Sequence, residues 1–182
     1  MLRDFRRREC RALAMTALAT VSCLVLHADV TVPTQSAEVQ LLLGNEFFAE
    51  GRYQDALDAY TRALRAPNPP NPKAARAGIV QSALRVAEFD IARTESDALI
   101  KSSPSDPNAI VLNGDALWAS GLFDEAEGRY HEALALVPDL ARGHHGMARA
   151  LAAHSKLDEA LSEAQLAVRL SPRDLEIHHT VG

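Results

Sequence analysis

The sequence predicts an all-α chain whose antiparallel helix pairs stack into a solenoid. Three observations carry that prediction: a 34-residue stretch written twice between Pro107 and Asp174, helix-ending residues at matching places in both copies, and two earlier stretches at the same spacing. Laying residues 107–140 over 141–174 puts Gly114 on Ala148, Leu117 on Leu151, Ala126 on Ala160, Ala133 on Ala167 and Pro138 on Pro172. A fixed period of this length sets the architecture before any single motif is read, because each unit is too small to bury its own apolar face and must stack on its neighbours.

The first 28 residues precede the repeats. Arg3, Arg6, Arg7, Arg8 and Arg11 form a basic head, followed by the apolar run Ala12 to Leu26. That run is shorter than the roughly 20 residues a membrane-spanning helix needs. Basic head, short apolar middle and a small residue after it read as a secretory signal peptide over 1–28, cleaved after Ala28. An alternative makes Cys23 a lipid-attachment site, yet Leu24-Val25-Leu26 continue the apolar run past it and Thr20, not leucine, stands three places before. The run Arg6-Arg7-Arg8 lacks the apolar pair of a twin-arginine signal.

Removing residues 1–28, with five basic and two acidic side chains, takes the formal charge from −5 to −8. Such an acidic surface argues against nucleic acid and anionic lipid as partners, leaving membrane contact only through a lipidated Cys23. Cys10 and Cys23 leave with the signal, so no disulfide is expected in the remainder. Residues 29–36, polar and containing Pro33, read as a flexible leader.

Four repeats follow, at 37–70, 73–106, 107–140 and 141–174. The first carries Leu43-Gly44, Phe47, Gly51, Tyr53, Ala56, Tyr60 and Ala63. The second keeps Phe89, Ala92, Leu99 and Pro104 but has Val80 where its siblings carry Gly or Ala, and Asn71-Pro72 separate it from the first. In the third, Asn108 to about Ser120 forms one helix, with Ile110, Gly114 and Leu117 on one face. Gly121 suits a left-handed helix end. Asp124 opens the next helix, where a carboxylate accepts orphan N–H groups and complements the dipole, and Pro138 closes it. The same logic applies at Gly51, at Ser155 with Asp158, and at Pro104 and Pro172. Gly114 is expected to face Ala126 across the helix pair, and Ala133 to admit the next repeat.

Small residues at Gly114, Ala126 and Ala133, aromatics at Phe123 and Tyr130, and a closing Pro138 on a 34-residue period resemble the tetratricopeptide repeat. The resemblance spans residues 37–174. It implies a right-handed superhelix whose first helices line a concave groove that binds a peptide or protein partner, without catalysis or cofactor. Carried over position by position, the groove-lining residues are Asn45 and Phe48 beside Leu41 and Leu42, then Gln81, Leu84 and Arg85 beside Ala77. Val111, Asp115 and Trp118 follow, and then His145 and Arg149 beside Ala152. Trp118, the only tryptophan, reads either as an exposed peptide anchor or as filler of the inner seam. The family's carboxylate clamp is matched at Asn45 alone; Leu41, Gly78, Asn108 and Leu112 stand at its other places, so capture of chaperone C-termini is not implied.

Other chemistry finds little support. His145 and His179, 34 residues apart, would sit at equivalent places and share a metal ion only if a third ligand joined them, and none is obvious. His131-Glu132 lacks the second histidine of a zinc-protease helix. Residues 66–72, APNPPNP, read as a stiff loop rather than a polyproline ligand. No nucleophile elbow, phosphate loop or dinucleotide fingerprint is present. From Leu175 the repeat restarts and stops at Gly182 without a polar cap, so the chain reads as a fragment, the alternative being self-association or a partner at that face. The expectation is therefore an interaction scaffold, periplasmic or secreted. Its rivals are an envelope tethering lipoprotein, or the recognition module of an enzyme whose catalytic domain lies beyond residue 182.

Overall fold

The computed structural model describes residues 36–174 and Ile177. The expected signal peptide, Cys23, nearly all of the leader, and the restart from 175 apart from Ile177 lie outside the described residues. Eight helices and no strand occur among them: α1 (Ala37–Ala49), α2 (Tyr53–Arg65), α3 (Pro72–Arg85), α4 (Phe89–Ser102), α5 (Pro107–Ala119), α6 (Phe123–Leu136), α7 (Ala141–Ala153) and α8 (Leu157–Leu170). Each repeat is one helix pair. Consecutive helices pack throughout, and first helices of successive repeats also touch, whereas no comparable packing joins the second helices. The first helices α1, α3, α5 and α7 therefore form the inner wall of the solenoid.

Every first helix ends in the same turn. The N–H of Arg52 bonds the carbonyl of Phe47 at 2.8 Å, and Glu88 to Ala83, Leu122 to Leu117 and Lys156 to Leu151 repeat the bond. This six-to-one closure satisfies orphan carbonyls and requires a left-handed residue just before the donor. Gly51 (φ 76°) and Gly121 (φ 78°) fill it without strain, Ser155 (φ 61°) fills it as predicted, and Ala87 (φ 62°) fills it unpredicted. Second helices end in proline turns, with Asp106 N–H to Ser103, Leu140 to Val137 and Asp174 to Ser171, each at 3.2 Å. After the first repeat, Asn71 caps α3 by accepting from Ala74 N at 3.0 Å, and Pro72 opens the helix as part of it.

Two local expectations are corrected. Asp124 and Asp158 are not caps: Leu122 and Lys156 hold those places without a side-chain bond, and both aspartates lie inside the first turn, where they complement only the dipole. Nor is Ala126 the group that demands a glycine at 114. A Cβ on Gly114 would come within 2.7 Å of the Tyr130 ring, and one on Gly146, in the next repeat, closer still. The first junction copies this arrangement: a Cβ on Gly44 or Gly78 would fall 2.6 or 2.5 Å from the Tyr60 ring. Each tyrosine is thus wedged between the first helix of its own repeat and that of the next.

The alternate junctions are filled differently. In the second repeat Val80 replaces the glycine, Ser96 replaces the tyrosine and Leu112 replaces the following glycine, all three buried. Ser96 Oγ donates to the Arg93 carbonyl at 2.9 Å and accepts from Asn113 Nδ2 at 3.1 Å, so its polar atom is satisfied. In the fourth repeat Ala148 and Ala164 take the equivalent places, both buried. What reads as degeneracy at Val80 is a compensated exchange of volume between neighbours. The first and third junctions share one packing, glycine, tyrosine, glycine, and the junction between them is filled as larger, smaller, larger.

Two outcomes follow. Gly146→Ala should destabilise the chain by about 1–3 kcal/mol through overpacking against a ring that cannot retreat. In a thermal double-mutant cycle with Tyr130→Ala, the pair should show coupling of about 1 kcal/mol or more; simple additivity would refute the wedge. Ala87→Gly, relieving left-handed strain, should raise stability by about 1 kcal/mol, or roughly 2–4 °C in Tm. No gain in Tm would contradict the strained turn.

Candidate functional site

Two stations of aromatic and guanidinium groups stand two repeats apart. At the first, Phe48 on α1 meets Tyr53 edge-on with ring centroids 5.2 Å apart, and the Arg85 guanidinium of the next repeat lies 5.6 Å over the Tyr53 ring. At the second, Trp118 on α5 meets Phe123 at 6.0 Å, and the Arg149 guanidinium of the next repeat lies 4.0 Å over the indole. In both, a repeat supplies an aromatic pair at the turn between its helices, and its successor supplies the cation. Such stacking attracts the charge to the ring face and fixes a long side chain that would otherwise be free to rotate.

Asp115 ties the second station to the core. Its Oδ1 accepts from the buried Tyr130 hydroxyl at 2.9 Å and from Arg149 Nη1 at 3.3 Å, while Arg142 Nη2 stands 3.7 Å from Oδ2. The equivalent tyrosine, Tyr60, donates to Asn45 Oδ1 at 2.9 Å. Each wedge tyrosine therefore reaches through the wall and orients a polar side chain of the inner face. Burial, then the Asp115 charge, pushes the Tyr130 phenol far above its ordinary value. Burial also raises Tyr60.

Between the stations lies a cavity of about 180 Å³ lined by Phe48, Gln81, Leu84, Arg85, Asp115, Arg142 and Asp174. The fold thus brings Phe48, Gln81, Leu84, Arg85 and Asp115, expected on one groove from sequence, to one cavity, with Arg149 bonded to Asp115 at its edge. Asn45 is exposed on the same helix as Phe48. Three expected residues are buried: Val111, 2% exposed, packs into the core, and His145 and Asp115 are each 8% exposed, although Asp115 still lines the cavity. Trp118 divides its surface between the two readings given above. It packs against the core, carries Arg149 on its ring, and its indole N–H is buried without an acceptor among the described residues. It is therefore not a bare aromatic face.

Arg142 was missed, although it stands three residues before His145 and seven before Arg149, on the same helical face. His144, beside His145, is held by the preceding repeat and its own, Nε2 to the Pro138 carbonyl at 2.7 Å and Nδ1 to Glu163 at 2.5 Å, while His179 lies outside the described residues. Among the described residues no group of three or more His, Cys, Asp or Glu is placed to hold a metal ion, and no helix is long and apolar enough to cross a membrane. A wider depression of about 600 Å³ lies on the opposite side between α2 and α4, floored by Leu57, Leu64 and Ile79, away from every expected groove residue.

Antiparallel helix pairs stacked through their first helices, with polar and aromatic groups gathered on the inner wall, define an α-helical repeat protein of the solenoid class. The tetratricopeptide repeat model matches residues 41–107 and 111–174, most of the chain, and the chain belongs to that family. The two matched stretches each span two repeats, as the alternating packing does. RNA polymerase II-associated protein 3 of Rattus norvegicus is 30% identical over 110 residues, covering 60% of this chain and 16% of that protein. The Mus musculus protein is 28% identical over the same length. The chain thus spans less than a fifth of these relatives. Among solved structures, a thermophilic tetratricopeptide repeat protein of Thermus thermophilus superposes at a TM-score of 0.72 with 21% identity, covering 80% of this chain and 79% of that one. YrrB, a tetratricopeptide repeat protein with an unusual peptide-binding site, superposes at 0.62 with 18% identity, covering 81% and 75%. At such identities the likeness is one of fold.

The raised Tyr130 value has a signed consequence. Because the folded state keeps a proton that the unfolded chain releases near pH 10, this contribution is intact below about pH 10 and is lost as pH climbs beyond it. Urea midpoints measured from pH 8 to 11 should fall less steeply for Tyr130→Phe than for the wild type. Identical slopes would contradict the buried, Asp115-bonded phenol.

Proposed function

We propose that this chain is an exported, non-catalytic scaffold that holds a peptide segment of a protein partner along its inner wall. A tetratricopeptide repeat domain is a protein interaction scaffold, and fold alone assigns no particular partner. The observation that carries the reading is the pair of aromatic and guanidinium stations flanking the cavity at Phe48, Gln81, Leu84 and Arg85. Aromatic and arginine side chains held rigidly are the groups on which binding energy concentrates, because little rotamer freedom remains to be lost on contact. An extended peptide crossing from one station to the other would meet apolar, amide and charged groups in turn. Export rests on the basic head and apolar run of residues 1–28.

The immobilised chain should retain a partner from an extract of its own cells, and Trp118→Ala should retain at least fivefold less of it at unchanged helical ellipticity. Equal retention by both proteins, or retention of nothing by either, counts against the inner wall. N-terminal sequencing of the protein recovered from its cells should begin at Asp29; an intact Met1 start counts against export.

A further inference from the structure

Resting on that reading of the inner wall, we infer that the peptide it takes is acidic, with an aspartate or glutamate side chain seated between Arg85 and Arg142 and an apolar residue on Phe48 and Leu84. The charges around the cavity are unequal. Arg85 and Arg142 line it and Arg149 adjoins it, against Asp115 and Asp174. Among the described residues three guanidiniums thus face two carboxylates, Arg85 and Asp174 each holding a further partner, in a chain whose formal charge is −5. The wall opposes the sign of the molecule that carries it.

The commitments of the two central groups decide which ligand charge fits. Asp115 is engaged: its Oδ1 takes the Tyr130 hydroxyl and the Arg149 guanidinium, and Arg142 stands near its other oxygen. A ligand cation would have to compete with two guanidiniums and a buried hydroxyl for that one carboxylate. Arg142 is the reverse case. Its contact with Asp115, at 3.7 Å, is beyond hydrogen-bond length, it makes no hydrogen bond among the described residues, and its side chain is 37% exposed. A guanidinium offers five N–H donors in a planar fork that matches a carboxylate. A carboxylate entering the cavity would gain charge-assisted bonds that Asp115 does not make, without detaching Arg149 from its indole. The neighbouring apolar walls at Phe48 and Leu84 set the spacing of the second determinant, and Gln81 between them offers both donor and acceptor to the peptide backbone.

The test is selection from a phage-displayed library of random dodecapeptides against the full chain, followed by fluorescence anisotropy with the synthetic winners. Enriched sequences should carry at least threefold more Asp and Glu than the naive library, beside an aliphatic or aromatic residue. Replacing the shared acid by its amide should weaken binding at least tenfold, as should Arg142→Gln, with ellipticity and Tm of that variant unchanged. Amidating the peptide C-terminus should leave affinity as it was; strong weakening there would overturn the side-chain assignment in favour of a terminal carboxylate. Enrichment of neutral or basic peptides whose binding still needs Trp118 would overturn the acidic preference while leaving the groove intact. Failure to enrich any sequence would overturn the groove and the inference together.

Discussion

A tyrosine ring caught between two glycines sets the spacing of this solenoid. Tyr60 between Gly44 and Gly78, and Tyr130 between Gly114 and Gly146, fill the contact of one second helix with two first helices, at distances that leave no room for a methyl group. The ring is too large for a three-helix contact lined by ordinary side chains, so both flanking helices must lack a Cβ where it lies. Because the hydroxyl then passes to Asn45 or Asp115, the same ring that fixes the packing also aims a polar side chain at the inner wall. Core and surface are joined by one side chain.

That link gives the inner wall its rigidity. Tyr130 holds Asp115, Asp115 holds Arg149, and Arg149 lies flat on Trp118, so four residues from three helices restrain one another. The buried phenol stays neutral and donates to Asp115, whose same oxygen accepts from Arg149. Preorganisation of this kind lowers the entropic cost of ordering long side chains when a partner arrives.

The period, the helix pairs and the left-handed turns at Gly51, Gly121 and Ser155 were legible in the sequence, because each depends on one residue at one place. Ala87 was not, since alanine carries no signal for a left-handed backbone. The ring beside Gly114 was not foreseen, because overlaying repeats shows which positions correspond, not which ones touch, and Tyr130 meets glycines both within its repeat and in the next. Overlaying alternate repeats, 37–70 on 107–140, would have exposed the tyrosine pairing. Val111 and His145 were placed on the groove by position, yet both are buried at that position in the third and fourth repeats. Arg142 lay on the expected face, one turn ahead of where the family positions begin.

Alternating junctions also govern how such a chain can change length. Excising the single repeat 73–106 would bring Tyr60 against Leu112, where the ring and the leucine claim one space. Excising 73–140 would bring it against Gly146, which accepts it as Gly78 does. Gene rearrangements that survive in this lineage should therefore add or remove helix pairs two at a time, and the reading frame of its evolution is 68 residues, not 34.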